Sequence, residues 1–459
     1  MENGRINPFC VERKWYMKEK KHKQYNLLTV ICMIVGICIG SGIFFKSDNI
    51  LVATNGSIAL GVLSFVLAAI AIIFGSLTIA ELASRTDETG GLVTYAQEFI
   101  DSKTACGFGW FQVLIYYPTI TIVVAWVVGV YIDILFYLQA SLELQMLIGF
   151  VFLLICFVYN LLLPHFASFV QDSTTFLKLL PLFLLGILGM LFGDPIQGFA
   201  STSPTTFMSA GWLSALGPIA YSFDGWIVST SIAHEVKNSK KTMPKALSIA
   251  PLIILAIYTL YFVGVSCYVG PEEVMRLGDA HVSVAASRLL GNTFSKAITI
   301  FVVISVMGTV NGLVMGYIRM PYSLALREHM IPFSKYLKQV NKTFDMPIYS
   351  GIFSFIICVI WMIIHYFCTK YNILGQSDVS EIAISVSYIL YIVLYIKVII
   401  LYKQKVITHF FKGVICPIMA IVGSLIILSG AIQNPMFIAY VGICVVIYIA
   451  SQIYYIKSK

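Results

Sequence analysis

Ile39-Gly40-Ser41-Gly42-Ile43 interrupts the first long apolar stretch of this sequence, and Tyr221-Ser222-Phe223-Asp224-Gly225-Trp226 interrupts the sixth. Breaking a helix inside hydrocarbon frees backbone N–H and C=O groups, which is costly unless a cavity or a ligand satisfies them. The two breaks lie five apolar stretches apart, at the first helix of each five-helix half. Because an odd number of helices reverses the second half, the sequence predicts an inverted repeat with a transport site between its halves.

The composition excludes a soluble fold. Of the 459 residues, 59% are hydrophobic and 11% are charged, whereas about a quarter of a soluble domain is charged. A membrane span needs about 20 apolar residues, and the sequence contains twelve such segments. Numbered in chain order, segments 1 to 12 are 27–45, 59–80, 108–138, 145–163, 168–192, 212–231, 247–269, 295–318, 348–367, 379–401, 412–430 and 436–456. We therefore predict an all-α integral membrane protein with twelve transmembrane helices.

Lysine and arginine predict the orientation of these segments. An even number of segments puts both termini on one side, and 24 of the 30 basic residues then lie on that side. Because basic loops remain cytoplasmic, we predict a multi-pass protein of the plasma (inner) membrane with both termini in the cytoplasm. The residues before segment 1 lack the apolar core of a signal peptide. The basic residues assigned to outer loops are Lys46, Arg276, Arg288, Lys296 and Lys370.

The segments divide into four predicted regions. The regions are a cytoplasmic tail (1–26), a first five-helix repeat (27–192), a second five-helix repeat (193–401), and two additional transmembrane helices with a short cytoplasmic tail (402–459). The net charge of +8 then belongs to cytoplasmic loops beside anionic lipid, so no nucleic-acid partner is expected.

The two breaks have complementary chemistry. Around Gly40-Ser41-Gly42 the backbone is open to a ligand, and a half-helix predicted to begin near Ile43 directs its positive end there, which favours a carboxylate. In segment 6, a half-helix from about Trp212 is predicted to end near Phe223, which leaves the carbonyls of Tyr221–Phe223 for an ammonium group. Together the two ends describe the backbone of an α-amino acid.

Each of these residues has a structural alternative. Glycines such as Gly40 and Gly42 are common where helices pack closely in membranes, although the matching break in segment 6 favours a site. Asp224 is either a ligand, a proton carrier or, as we favour, the N-cap of an inner half-helix beginning at Gly225-Trp226. Phe223 either packs or, as we favour, covers the substrate as a gate.

Lys178 lies about ten positions into segment 5. The alternative to a functional role is snorkelling of the side chain to the interface, but at about 1.5 Å per residue both ends are distant. A buried ammonium can occupy the place of a sodium ion by bridging carbonyls freed in segments 1 and 8. Asp133, Asp172 and Glu381 lie near segment ends and are predicted to be interfacial.

Enzymatic and metal chemistry have no sequence support. The histidines show no metal-ligand spacing and the cysteines form no CxxC pair, so no metal and no cofactor are expected. His165, His234 and His281 lie on separate loops, which argues against a membrane acyltransferase. The loops are also too short for the signalling domain of a receptor.

The order of several motifs resembles the amino acid–polyamine–organocation superfamily, specifically bacterial members of the L-type amino-acid transporter family of the serine/threonine exchanger type. The resemblance covers nearly the whole chain. The motifs are Gly40-Ser41-Gly42-Ile43-Phe44, Leu77-Thr78-Ile79-Ala80-Glu81-Leu82, Thr89-Gly90-Gly91-Leu92-Val93-Thr94-Tyr95, Lys178-Leu179-Leu180-Pro181, Phe223-Asp224-Gly225-Trp226, Glu235-Val236-Lys237-Asn238, Met243-Pro244-Lys245-Ala246, and Ala325-Leu326-Arg327-Glu328-His329-Met330-Ile331-Pro332.

The resemblance implies a LeuT-type fold of two inverted five-helix repeats with helices 1 and 6 broken, followed by two further helices. It carries the carboxylate contacts onto Ile39, Gly40, Ser41, Gly42 and Ile43, and the amino contacts onto Tyr221, Ser222, Phe223 and Asp224. It also implies that Lys178 replaces sodium and that Tyr258 links the broken helices. The loop 138–144 lacks the cysteine through which mammalian members join a glycoprotein, so no disulfide-linked accessory subunit is expected.

The expected function is therefore alternating-access transport of neutral L-amino acids, small ones such as serine, threonine or alanine. The resemblance implies sodium-independent exchange or facilitated uptake. A proton-coupled symporter and a carrier of cationic amino acids or polyamines remain alternatives, for which Asp224 is the only deep acidic candidate.

Overall fold

The structure is a computed structural model that describes residues 26–86, 91–200, 208, 211–227, 236–375, 377–434 and 436–459. Within these ranges every helix and strand assignment is helical, apart from isolated bridge residues at Val236, Asn341 and Met346. The prediction of an all-helical membrane protein is confirmed for this part of the chain. We call the side reached by the end of segment 1 the outer side, following the predicted orientation.

Nine of the predicted segments form helices long and apolar enough to cross a membrane, counted over the described residues. They are Ile58–Ala83, Ser102–Phe136, Leu142–Leu162, Lys241–Val269, Thr293–Ala325, Ile348–Lys370, Val379–Lys403, Phe411–Ala431 and Phe437–Ser458. The number twelve remains a prediction, because segments 1, 5 and 6 consist of shorter pieces. These pieces are Leu27–Cys38 with Ser41–Ala53, Pro164–Leu177 with Leu179–Phe192, and Gly211–Ala215 with Leu216–Ser222.

Short helices connect the long ones, and they are Leu92–Phe99, Pro195–Ala200, Pro271–Leu277, His281–Leu290 and Ser334–Leu337. Small residues allow the long helices to approach closely, as is usual where lipid supplies no hydrophobic driving force between helices. A Cβ at Gly264 in segment 7 would collide with the backbone of Gly186 in segment 5. Likewise, a Cβ at Gly423 in segment 11 would collide with Ala71 in segment 2. These contacts build a dense scaffold around the broken segments.

Segment 3 is longer than a perpendicular span requires. Its helix, Ser102–Phe136, contains 35 residues, which at about 1.5 Å per residue exceeds the roughly 30 Å hydrocarbon core. A helix of this length is accommodated by tilting, by bending or by extending beyond the hydrocarbon. It also contains one turn of π-helix, Gln112–Tyr116, a feature that often accompanies functional sites.

One sequence prediction about charge was wrong. Lys46 was assigned to an outer loop, but helix Ser41–Ala53 continues past it and the residue is 1% exposed. Glu381, predicted to be interfacial, lies in the first turn of helix Val379–Lys403 and is 3% exposed, a burial that the sequence did not indicate. The two side chains form an ion pair, and this mutual compensation lets both charges lie in the interior.

Candidate functional site

The break in segment 1 leaves a helix N-terminus without a side-chain cap. Helix Leu27–Cys38 ends at Ile39, whose backbone is extended (φ −76°, ψ 103°), and Gly40 follows with φ −143° and ψ −138°. The second helix begins at Ser41, two residues before the predicted position, and no side chain caps it. The N–H groups of its first turn therefore remain for another acceptor, with the positive end of the helix dipole behind them.

The break in segment 6 follows helix Leu216–Ser222, with Phe223 as its C-cap. The N–H of Asp224 donates to the carbonyl of Tyr221 (3.1 Å). Gly225 then adopts φ +102°, a conformation that strongly favours glycine. Residues 228–235 lie outside the described residues, and with them most of the inner half-helix that Asp224 was predicted to cap.

The two breaks meet each other. A Cβ on Gly42 would lie 2.7 Å from the Cα of Ser222, closer than real Cβ contacts allow. The hydroxyl of Tyr258 lies 2.9 Å from the carbonyl oxygen of Cys38 and 2.7 Å from that of Ser222. Tyr258 in segment 7 thus bridges the last carbonyls of both half-helices. Two of the carbonyls predicted to be free, those of Tyr221 and Ser222, accept hydrogen bonds within the protein in this conformation.

Lys178 lies beside the break in segment 1, at the junction of the two helices of segment 5. It is 1% exposed, and its Nζ lies 3.2 Å from the carbonyl oxygen of Gly36 and 3.3 Å from Oγ1 of Thr309 in segment 8. The sequence predicted carbonyl partners in both segments; the partner in segment 8 is a hydroxyl. A Cβ on Gly40 would collide with the same Thr309 side chain, so segments 1, 5 and 8 converge here.

Comparison with known proteins identifies the family. The family model described as amino acid permease matches residues 25–446. This chain belongs to the amino acid permease family. The permease is 30% identical to the "Serine/threonine exchanger SteT" of Bacillus subtilis (strain 168), over 81% of each chain.

Mammalian relatives are also similar to this permease. It is 29% identical to the human "Cystine/glutamate transporter", over 72% of this chain and 66% of that protein. It is 26% identical to the mouse "b(0,+)-type amino acid transporter 1", over 74% of this chain and 70% of that protein. These relatives are transporters and not enzymes. Membership of the permease family, together with the nine apolar helices among the described residues, shows that the chain is a multi-pass membrane protein.

Asp224 has a partner that the sequence did not indicate. The hydroxyl of Tyr116 lies 2.5 Å from Oδ2 of Asp224, and Tyr116 ends the π turn of segment 3. A π turn shifts the register of the following side chains. In the sequence, this turn lies in a mostly apolar run that ends in Tyr116 and Tyr117 before Pro118. Such a run gives no signal for a π turn. In this permease, segment 3 therefore contributes a donor directly to the break in segment 6.

Phe223 packs inward in this conformation of the permease. It is 1% exposed, and its ring centroid lies 5.2 Å from that of Tyr258 and 6.4 Å from that of Phe65 in segment 2. Gating by Phe223 stays a prediction. Over the described part of the chain, no group of three or more His, Cys, Asp or Glu side chains could hold a metal ion.

We expect Tyr258→Phe to slow transport by about tenfold with little change in apparent affinity. The variant leaves the buried carbonyls of Cys38 and Ser222 without their donor, and such a loss costs about 1–3 kcal/mol. Initial uptake rates in proteoliposomes measure the effect. Tyr349→Phe, which alters a side chain that is 51% exposed, is the control. A Tyr258→Phe variant with wild-type kinetics would show that the bridge does not contribute to the transport cycle.

Proposed function

We propose that this permease exchanges small neutral L-amino acids, such as serine, threonine or alanine, across the plasma membrane by alternating access without sodium. One observation carries the proposal: the uncapped N-terminus at Ser41 and the helix end at Ser222 meet at Gly42. A positive and a negative helix end in contact match the carboxylate and ammonium groups that all amino acids share. The bacterial relative, a serine/threonine exchanger by name, supports small neutral substrates.

In the proposed binding mode, the carboxylate accepts hydrogen bonds from the first turn of helix Ser41–Ala53. The ammonium group binds at Tyr221–Asp224, where the second lone pair of each carbonyl remains available beside the internal hydrogen bonds to Tyr221 and Ser222. Binding then couples to the geometry of both breaks, since Tyr258 contacts both of them. Ile39, Gly40 and Ile43 shape the backbone on the carboxylate side, and Phe223 closes over the bound substrate.

The packing of the helices supports two inverted five-helix repeats, 27–192 and 193–401. Under that division, each segment in the first repeat has a counterpart five segments later. Counterparts pack on each other in four cases, which are segments 1 and 6, 2 and 7, 3 and 8, and 4 and 9. The third segments of both repeats are also similarly long, with 35 residues in Ser102–Phe136 and 33 in Thr293–Ala325. A twofold axis between the repeats accounts for both features.

The remaining parts of the proposal follow from the sequence. Both termini are cytoplasmic because basic residues concentrate on that side, and segments 11 and 12 with the tail (402–459) lie outside the repeats. Lys178 supplies the positive charge that a sodium ion would bring. No disulfide-linked accessory subunit joins the permease through the loop 138–144, which contains no cysteine.

A carrier of cationic amino acids or polyamines, or a proton-coupled symporter, is the second candidate. The observation that favours it is the Asp224 carboxylate at the break, held by Tyr116. A carboxylate can bind a second ammonium group or a proton. In the proposed function, the Tyr116 hydroxyl instead occupies this carboxylate and fixes the turn at Gly225.

Competition by analogues tests the proposed site. Serinamide lacks the carboxylate and ethanolamine lacks the entire carboxyl group of serine, so each loses the contacts at Ser41–Ile43. Hydrogen bonds to charged groups contribute about 1.5–3 kcal/mol, so each analogue should inhibit serine uptake at least about tenfold more weakly than serine itself. An analogue that lacks the α-amino group should be equally weak. The measurement is inhibition of labelled serine uptake into proteoliposomes.

Equal inhibition by serine and serinamide would show that the two-ended backbone site is wrong. Lysine is included in the same series to test the second candidate. Strong inhibition by lysine, abolished in Asp224→Asn, would favour a cationic substrate over a neutral one.

A further inference from the structure

A second buried cluster of charges lies on the outer side of the candidate site. The Nζ of Lys46 lies 2.7 Å from Oδ2 of Asp378 and 2.5 Å from Oε1 of Glu381. The three side chains are 2%, 8% and 3% exposed, respectively. Asp378 is also the N-cap of helix Val379–Lys403, because its other oxygen accepts from the N–H groups of Ser380 and Glu381. The cluster therefore joins the outer half of segment 1 to the start of segment 10.

The same ammonium group also contacts segment 6. Its Nζ lies 5.1 Å from the ring centroid of Tyr221, a distance typical of a cation–π interaction. Tyr221 belongs to helix Leu216–Ser222, the half-helix that ends at the proposed ammonium site. One side chain thus connects the two broken segments with segment 10.

The cluster lies between the candidate site and the outer side. Lys46 is in the second turn of helix Ser41–Ala53, which begins at the proposed carboxylate site and continues outward. Two cavities of about 260 and 320 Å³ lie beside it; the first is lined by Lys46 and Asp378, the second by Glu381. Both cavities are also lined by Leu374, Gly375 and Ser377. The ion pairs of Lys46 therefore connect the linings of the two cavities.

Ion pairs suit a contact that must open repeatedly. Burying charges is costly, and the attraction between them in the interior largely cancels that cost. When water enters, hydration of the separated charges replaces their attraction. The closed and open conformations can therefore have similar free energies, as alternating access requires, whereas an apolar contact of the same size would favour closure.

We propose that Lys46, Asp378 and Glu381 form an ionic lock that closes the outer pathway and must open in each transport cycle. The proposal rests on the proposed function, since a lock matters only if the site alternates between the two sides. Lys46 is a positioning residue: it holds segments 1 and 6 against segment 10 and does not touch the substrate.

Thiol labelling tests the lock directly, because the chain contains a buried thiol at the break. Cys38 ends helix Leu27–Cys38 and is 5% exposed. Cys368, in contrast, lines the cavity of about 260 Å³ beside Lys46. A membrane-impermeant maleimide is applied from the side on which Cys368 reacts, and each cysteine peptide is quantified by mass spectrometry. In Lys46→Met, labelling of Cys38 should rise by about tenfold because breaking a buried ion pair strongly favours the open conformation. Labelling of Cys368 serves as the internal reference.

Transport kinetics give the second readout. A permease that stays open to the outside binds external substrate normally but returns slowly, so kcat for exchange should fall while the external KM does not rise. The matched control is Lys370→Met, which removes an outer lysine whose Nζ lies 3.0 Å from Oε1 of Glu143. The side chains of this pair are 44% and 53% exposed, respectively. That variant should match wild type in both labelling and exchange, since exposed pairs contribute little.

The outcomes separate the lock from the proposed function. If Lys46→Met does not yield folded protein, Glu381→Gln is used to test the lock in its place. That variant retains the pair of Lys46 with Asp378, so it should increase Cys38 labelling by a smaller factor. Folded variants in which the maleimide labels Cys38 at the wild-type rate would overturn the proposed lock. Increased labelling in a protein whose wild type exchanges no amino acid would instead overturn the proposed function and leave the lock in place.

Discussion

Gly42→Val is expected to abolish amino-acid transport while the protein still inserts into the membrane. The first side-chain atom at this position would lie 2.7 Å from the Cα of Ser222 and 3.1 Å from its Oγ. The backbone of Ser222 cannot withdraw easily, because its carbonyl accepts from Tyr258 and its hydroxyl bonds to Pro218. Overpacking of this kind costs about 1–3 kcal/mol, and each 1.4 kcal/mol corresponds to about tenfold. The valine would also cover the N–H groups of the first turn.

Serine uptake into proteoliposomes measures this effect, with size-exclusion chromatography to establish that the variant is folded. The matched control is Gly442→Val, because a Cβ at Gly442 in helix Phe437–Ser458 meets nothing within 4 Å. The control should transport at the wild-type rate. Normal uptake by Gly42→Val would place the substrate site elsewhere in the protein.

Lys178→Ala is expected to lower turnover by about tenfold or more and to leave apparent affinity nearly unchanged. The variant removes the only donor described for the Gly36 carbonyl outside its own helix. It also removes the hydrogen bond between segment 5 and Thr309. An unsatisfied buried acceptor costs about 1–3 kcal/mol. Affinity should persist because Lys178 braces segments 1 and 8 and lies outside the proposed contacts with substrate.

Uptake of serine into proteoliposomes measures the effect of Lys178→Ala and also tests whether transport is independent of sodium. Uptake by the wild type should be unchanged when choline replaces sodium at fixed pH, since Lys178 supplies the positive charge internally. Lys296→Met, which alters an exposed lysine near the start of helix Thr293–Ala325, is the control for loss of a lysine. A wild-type rate that collapses in choline contradicts the proposed role of Lys178, and a fully active Lys178→Ala would reduce the residue to a structural lysine.

The positions of the helix breaks could be predicted because they depend on local composition. Glycines at Gly40 and Gly42, and the polar pair Ser222 and Asp224, interrupt apolar runs that are otherwise long enough to span a membrane. The predicted start near Ile43 missed the observed start at Ser41, since helix ends depend on contacts such as the one between Gly40 and Thr309.

The partners of the polar residues could not be predicted in the same way. Tyr116 resembles any other tyrosine in an apolar run, and only the π turn brings its hydroxyl to Asp224. Lys46 was assigned to a loop because the predicted segment 1 ends at residue 45, and a lysine within an apolar helix is costly. The two carboxylates that remove this cost are more than 300 residues away in the chain (|i−j| = 332 and 335).

The sequence by itself determined that this protein is an all-helical membrane protein whose first and sixth segments break, because these properties follow from local hydrophobicity and from glycine. The tertiary structure decided which groups satisfy the broken ends. Tyr258 bridges Cys38 and Ser222, Lys178 joins Gly36 to Thr309, and Lys46 joins segments 1, 6 and 10. Hydrogen bonds and ion pairs act over about 3 Å in space, and sequence separation gives no measure of that distance.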